Sequence, residues 1–408
     1  MESDSDILII GGGLNGPVLA LALAGAGHSV TVIDALPAPV RHDPGFDGRG
    51  YALALASQRL LATLGLWPAV AAEAQPILEI RVTDGHAGQG PGPFWMGFDH
   101  AEIEEGPMGY MVEDRHLRAA VLDAVEASPN VTPLNGRQVV SQDVGPTGVT
   151  LQLDDGTSLS GRLLIGADGR GSGTATRAGI QRLTRSYGQT ALVAAIGHTL
   201  PHGGTAHQFF LPEGPLAILP LTSDRSSIVW TTSTEAATEL QALNDDDFLT
   251  ALRPRFGDYL GDLSLAGARF SYPLGLTLAY DFTAPRVALV GDAAHGMHPI
   301  AGQGLNVGLR DIAALAEVLT DAKRRGEDIG ATDVLLRYQE WRRFDAVSLA
   351  MATDGFNRLF SNDNPLLRMG RDLGMGLVQS LPGLRRTFIR EAAGLSGTLP
   401  RLMQGDTL

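Results

Sequence analysis

Three short stretches of this chain carry residue types able to hold a phosphorylated cofactor. The first is Gly11-x-Gly13-x-x-Gly16, placed between the apolar run Ile7-Leu8-Ile9-Ile10 and an Ala/Leu-rich segment that reads as a helix over 18–26. Glycines in that place permit a tight turn. They also let a pyrophosphate approach a helix N-terminus, where free N–H groups and the helix dipole favour an anion. Asp34 closes the next apolar run, Val30-Thr31-Val32-Ile33, where a carboxylate accepts hydrogen bonds from an adenosine ribose. This pattern does not separate FAD from NAD. The second stretch, Leu164-Ile165-Gly166-Ala167-Asp168-Gly169, delivers an Asp-Gly pair to the carboxyl edge of a sheet; alone it is also an ordinary turn. The third is Ala288-Leu289-Val290-Gly291-Asp292, which holds a carboxylate at a strand end, ready for a polyol chain. Gly302-Gln303-Gly304 follows and opens a helix whose N-terminus suits a developing negative charge, such as that on the pyrimidine edge of a reduced flavin. Asp292, His295 and His298 also have a spacing that a metal would accept. The segment is a loop with no further ligand in view, so no metal is expected.

The elements around these stretches define the architecture. A strand apolar on both faces belongs inside a parallel sheet covered by helices, and the first 34 residues read as one βαβ unit. Helices are expected over 52–64, 114–127 and 304–319, with a helical tail after 332. Asp154-Asp155-Gly156 between two apolar runs signals a hairpin. From 182 to 272 the pattern is mostly strands, at 190–196, 207–211, 216–219 and 226–231, interrupted by a helix over 246–253. A strand near 80–82 leads into a Gly/Pro-rich stretch at 85–93. The expected fold class is α/β, α+β overall. A Rossmann-like domain formed by 1–75, 100–181 and 273–345 is interleaved with an antiparallel β-sheet domain formed by 76–99 and 182–272. A helical C-terminal region, 346–408, completes the chain.

Composition narrows the function. The 408 residues are 44% apolar and 19% charged, the range of a folded protein. A formal charge of −14 argues against nucleic acid as a partner. The sequence has no cysteine, which removes disulfides, thiolate metal sites and flavin attached through sulfur. The acidic N-terminus lacks a signal-peptide pattern, and no apolar run reaches the roughly 18–20 residues needed to span a bilayer. A cytoplasmic location is expected.

Taken together, the three stretches resemble the fingerprints of class A FAD-dependent aromatic monooxygenases, the p-hydroxybenzoate hydroxylase fold. Residues 298–311, His-Pro-Ile-Ala-Gly-Gln-Gly-Leu-Asn-Val-Gly-Leu-Arg-Asp, resemble the signature of the ubiquinone-biosynthesis hydroxylases. So do Asp47-Gly48-Arg49 with Ser57, Leu64-Gly65-Leu66-Trp67 and the run from Phe210 to Leu221. The likeness spans about residues 6–343. Gly171-Ser172-Gly173-Thr174-Ala175-Thr176-Arg177 departs from it, because the family more often sets a Ser and an Arg closer together.

The resemblance implies that Gly11, Gly13, Gly16 and Asp34 hold the ADP half of FAD, with Asp168 near the pyrophosphate. Arg49 and Pro299 would lie near the ring and Asp292 on the ribityl chain. Gly302, Gln303, Gly304, Leu305 and Asn306 would offer backbone groups to the pyrimidine edge. Arg115 is a further cofactor candidate, or equally an exposed helix arginine. It implies hydroxylation of a polyprenylated phenol by molecular oxygen through a flavin hydroperoxide, with NAD(P)H as donor and no side chain acting as nucleophile. Phe209, Leu216, Ile218, Pro220 and Trp230 are candidates for the substrate wall; they serve equally as the core of their sheet. Leu366, Leu367, Leu373, Met375, Leu377 and Val378 lie among Arg368, Arg371, Arg385, Arg386 and Arg390. Such a helix would rest on the inner face of a membrane, on another enzyme of the pathway, or on its own domain. Within the same fold, a soluble aromatic-acid hydroxylase and an isoprenoid reductase are alternatives, and so is a non-catalytic flavin-binding assembly subunit. A flavin halogenase is disfavoured, because Phe94-Trp95-Met96 does not match the Trp-x-Trp pattern of that group.

Overall fold

A computed structural model describes residues 4–46, 48–88, 90–298, 302–360 and 379–408, with side chains at all of these but 90–94 and 356–360. The N-terminal apolar run becomes the centre of an eight-stranded sheet. Its main path runs Thr283–Ala284, Val287–Leu289, Ser158–Gly166, Ser5–Ile10, Val30–Asp34, Val131–Asn135. The last five of these strands are mutually parallel, so their carboxyl ends share one edge.

Alternation along these strands sorts the core. Ile7, Ile9, Leu163 and Ile165 pack against helix residues that include Val18, Leu19, Leu23, Leu309 and Ile312. Leu8, Ile10, Ile33 and Leu164 point the other way, onto Val149, Leu151 and Leu153. The expected helical cover is therefore present on one face. The other face is covered chiefly by strands, because the Asp154-Asp155-Gly156 hairpin folds Val149–Leu153 and Val139–Val144 back against the sheet.

A second sheet is ordered Leu263–Leu265, Arg182–His198, Arg225–Ser233, Leu216–Leu221, Thr205–Phe210, Glu79–His86, Gly90–Asp99. Thr205–Phe210 and Glu79–His86 pair in parallel, which stitches the early excursion of the chain to the later one. The Gly/Pro-rich stretch at 85–93 is thus largely strand, paired through Gly85–Pro91 and His86–Gly90. Phe270–Ala279 also pairs with the 17-residue strand Arg182–His198, whose register slips between Ser186 and Thr190. One face of this sheet is covered by Thr234–Ala242, a helix capped by Ser233 that the sequence reading had not picked out, and by Asp245–Phe256.

The helix expected over 52–64 begins later. Residues 50–54 form a strand against Gly109–Glu113, and the helix is Leu55–Thr63. Strand pairing overrides the helical preference of Ala and Leu there. The expected boundary at 346 falls inside one continuous helix, Thr332–Phe360. Near the C-terminus, Pro382–Ala392 buries Ile389 in the main core.

Candidate cofactor site

The four strand ends meet at one edge. Gly11 N–H donates to Ile33 O at 2.8 Å, Ala167 N–H to Ile10 O at 2.8 Å, and Val290 N–H to Gly166 O at 3.0 Å. Gly11, Asp34, Asp168 and Asp292 thus lie at or within three residues of the ends of neighbouring strands, although up to 281 positions separate them in the chain. The Gly11 backbone, at φ 116°, lies against Ala167, and a side chain there would overlap the Ala167 carbonyl. A Cβ at Gly16 would overlap the Gly11 carbonyl, so the helix Asn15–Gly25 can start this close to the turn only with glycine. Gly13 borders open space instead. Asn15 ties the first stretch to the third: a Cβ at Gly291 would collide with its amide, and one at Gly308 would sit 2.7 Å from its Nδ2.

Asp34 accepts from the N–H of Leu36 at 2.7 Å and from the N–H of Gly12. A buried arginine that the sequence reading had not singled out, Arg41, donates to Gly12 O at 2.6 Å and to Asn135 Oδ1. Burial draws its pKa below the ordinary guanidinium value, opposed by the Asp34 charge. Its only sequence signal is a charge seven residues after Asp34, which no motif marks.

Asp168 folds back on its own turn. Its carboxylate accepts from Thr174 N–H and Thr174 Oγ1, each at 2.9 Å, and from Ser172 Oγ. The departure at 171–177 supplies these donors, and the carboxylate is committed to them. Arg170, also not assigned from the sequence, reaches across to the third stretch. Its Nε lies 3.3 Å from Asp292 Oδ2, and its Nη2 donates to Met297 O at 3.1 Å.

Two adjacent carboxylates, Glu113 and Asp114, end the Gly109–Glu113 strand and begin the next helix, both buried. Asp114 takes Arg118 Nε and Tyr51 Oη at 2.7 Å each, with Arg49 Nη2 at 3.4 Å. Glu113 takes Arg115 Nε at 2.7 Å and Arg225 Nη1 at 2.8 Å. Arg115 is therefore a paired, partly buried group. Arg49 is 47% exposed and joins the same cluster as Arg115.

Asn306 acts as a staple. Its Oδ1 accepts from Ala54 N–H and Ser57 Oγ, both at 2.8 Å, while its Nδ2 donates to Ala52 O at 2.8 Å and Gly302 O at 3.3 Å. The turn at Gly302, Gln303 and Gly304 is thereby fixed where the 21-residue helix Gly304–Arg324 begins, with Leu305 half-buried beside it. Pro299 lies outside the described residues.

His295 and His298 are both buried. His295 Nε2 bonds Asp311, away from Asp292. Burial and then Arg170 push the His298 pKa down to about 4, and its ring meets that of Tyr187 at 5.2 Å. Among the described residues no three His, Asp or Glu side chains converge as a metal site.

The residues that line this edge fit FAD. Helix N-termini at 15 and 304 flank the strand ends, and the backbone borders open space at Gly13 and Gly304.

The substrate-wall candidates lie elsewhere. Phe209, Leu216, Ile218 and Trp230 are buried beneath Asp245–Phe256 together with Phe248 and Leu252. Pro220, two residues on from Ile218 in the same strand, shares their parity. The neighbouring row, Val193, Val229, Ala217 and Gln208, is paired strand to strand on the opposite face. These candidates form the sheet's core, because period-two alternation identifies two faces without saying which one a helix covers.

The fold and the strand-edge site define an FAD-binding protein, and the chain belongs to the FAD binding domain family, which it matches over residues 4–352. It is 46% identical over 407 residues to "Ubiquinone hydroxylase UbiL" of Rhodospirillum rubrum, covering 99% of this chain and 94% of that one. It is 36% identical over 393 residues to "3-demethoxyubiquinol 3-hydroxylase" of Escherichia coli K12, covering 96% and 99%. Among solved structures, p-nitrophenol 4-monooxygenase PnpA from Pseudomonas putida superposes with a TM-score of 0.78 at 20% identity, covering 97% of this chain and 99% of that one. This last likeness concerns the fold.

Proposed function

We propose that this protein is an FAD-dependent monooxygenase that hydroxylates the aromatic ring of a polyprenylated phenol in ubiquinone biosynthesis, with NAD(P)H as electron donor. The observation that carries this reading is the convergence of Gly11–Gly16, Asp34, Ala167–Asp168 and Gly291–Asp292 on one strand edge, in a chain 46% identical to a ubiquinone hydroxylase. Bound there, reduced FAD would supply the activation of molecular oxygen.

The chain's own residues bind, orient and exclude water. The Asn15–Gly25 helix N-terminus and Gly13 take the pyrophosphate, and Asp34 takes the ribose. Asp292 takes the ribityl chain, and backbone groups at 302–304 face the pyrimidine edge, where helix N–H groups stabilise negative charge. Arg49 and Arg115, held by the buried carboxylates Asp114 and Glu113, are the arginines assigned to the cofactor. No side chain acts as nucleophile. The substrate wall is the face bearing Val193, Ala217, Leu219 and Val229. This face lies opposite the helices and presents these four apolar side chains.

A prenyl chain partitions into lipid, so substrate is met at a membrane surface or handed over by another enzyme of the pathway. Among the described residues no helix is long and apolar enough to cross a membrane. Of the tail arginines, Arg385 pairs with Glu102 and Arg390 with Glu105, which favours packing of that helix on its own domain; Arg386 is exposed. Residues 361–378, with the rest of the proposed amphipathic segment, lie outside the described residues.

The test is product analysis. The reconstituted protein is incubated with NAD(P)H, oxygen and prenylphenols, and product mass is measured. A gain of one oxygen supports the assignment. A reduced prenyl chain, or a flavin that is never reoxidised with substrate turnover, overturns it.

A further inference from the structure

The turn that presents Asp292 is braced from below by charges the proposed chemistry does not use. Asp311 lies on the Gly304–Arg324 helix and is fully buried. Its Oδ2 accepts from Gly291 N–H at 3.1 Å and from His295 Nε2, and its Oδ1 accepts from Arg342 Nε at 3.0 Å. Arg342, 1% exposed on the helix Thr332–Phe360, also reaches Asp345 Oδ2 at 3.0 Å. One turn earlier on that helix, Tyr338 Oη donates to Leu289 O at 2.8 Å, on the strand that leads into the turn. His295 N–H in turn donates to Gly291 O at 2.9 Å. Two helices and the strand end are thus locked around Gly291–Asp292.

An ion cluster this deep survives only when its charges balance and its hydrogen bonds are made. Burial alone would lower the pKa of His295, but the Asp311 charge and hydrogen bond prevail and hold it above its ordinary value. Burial raises and the His295 and Arg342 charges lower the Asp311 carboxyl, with a net downward shift. The cluster therefore sets the His295 ring and the Arg342 guanidinium against two carboxylates, Asp311 fully buried and Asp345 partly exposed. None of these groups lies at the strand edge where the cofactor fits. Their shared target is the backbone of the Gly291–Asp292 turn.

We propose that His295, Asp311 and Arg342 are positioning residues that set the Gly291–Asp292 turn, so that FAD affinity depends on them through Asp292. This rests on the reading that Asp292 holds the cofactor.

The test is a double-mutant cycle on FAD affinity, measured with apo-protein of the full chain by quenching of flavin fluorescence, with thermal melting of each apo-protein as the folding control. Asp311→Asn alone should weaken FAD roughly 10- to 100-fold, the loss associated with one charge-assisted hydrogen bond. In an Asp292→Asn background the same change should cost no more than about threefold, because the residue it acts through is already impaired. His295→Gln retains an N–H donor for Asp311 and should stay nearer to wild type than Asp311→Asn. If Asp311→Asn does not fold, Arg342→Lys takes its place in the cycle. Effects that multiply independently overturn the brace while leaving Asp292 as a cofactor residue. An Asp292→Asn protein with wild-type affinity overturns both.

Discussion

The two large sheets place their functional groups by different rules. In the parallel sheet the proposed cofactor residues lie at strand ends, where backbone direction decides placement: Gly11, Asp34, Asp168 and Asp292 lie at the carboxyl ends of four adjacent strands that run parallel to one another. In the antiparallel sheet the proposed substrate wall is a face, and face depends on parity and on what packs behind it. Leu216, Ile218 and Trp230 sit in a core under helices, while Ala217, Leu219 and Val229, one position away, face the other side. A shift of one residue along such a strand exchanges structural and functional roles. In the parallel sheet no such exchange is available, since a strand has only one carboxyl end.

The contrast can be broken experimentally. The largest effects belong at the strand edge. Gly16→Val places side-chain atoms against the Gly11 carbonyl and should yield protein without bound flavin, read from the absence of visible absorbance after purification. Asp292→Ala should likewise abolish flavin retention, and a yellow, fully active variant would remove Asp292 from the site. Next in size, Trp230→Ala should cost about 3–5 kcal/mol of stability in denaturant melts. Surviving folded enzyme should keep its KM for the phenol, because Trp230 is 1% exposed beneath Phe248. A raised KM without loss of stability would return Trp230 to the substrate wall. On the opposite face, Leu219→Ala should do the reverse, raising KM several-fold with a smaller stability loss, since Leu219 is only partly buried.

The smallest effect concerns His28, 1% exposed just beyond the helix Asn15–Gly25 and, among the described residues, without a hydrogen bond at either ring nitrogen. Burial, then Lys323, lowers its pKa to about 4, opposed by Asp6. The folded state holds it neutral, while the unfolded state protonates near its ordinary value. Its contribution is therefore complete above pH ~6.5 and declines as pH falls toward about 4. Between pH 7 and 5 this amounts to roughly 1–2 kcal/mol. His28→Leu should flatten that part of the stability–pH profile, and an unchanged profile would reject the assignment.

Much of the cofactor half was legible in the sequence because its signals are local. A glycine spacing, a strand-terminal acid and an Asp-Gly turn each follow from a few adjacent residues. The parts that escaped notice are long-range. Arg41 and Arg170 carry no motif, and they matter only because Gly12 and Asp292 come to lie beside them. The strand at 50–54 looked helical because its partner, Gly109–Glu113, lies far along the chain. Asn306 was read for its backbone, yet its side chain staples Gly302 to residues 52–57, a contact across about 250 positions.

By itself, then, the order of residues determined the α/β class, the FAD family and the four strand ends that come to share one edge. These depend on hydrophobic period and on turn geometry, which short segments encode. Tertiary structure alone decided which face of the antiparallel sheet the helices cover and which covering lies behind the first strand. It also decided which buried charges hold the Gly291–Asp292 turn. Packing partners and ion pairs are chosen only once distant elements have been brought together, and in a low-dielectric interior that choice governs what each side chain can do.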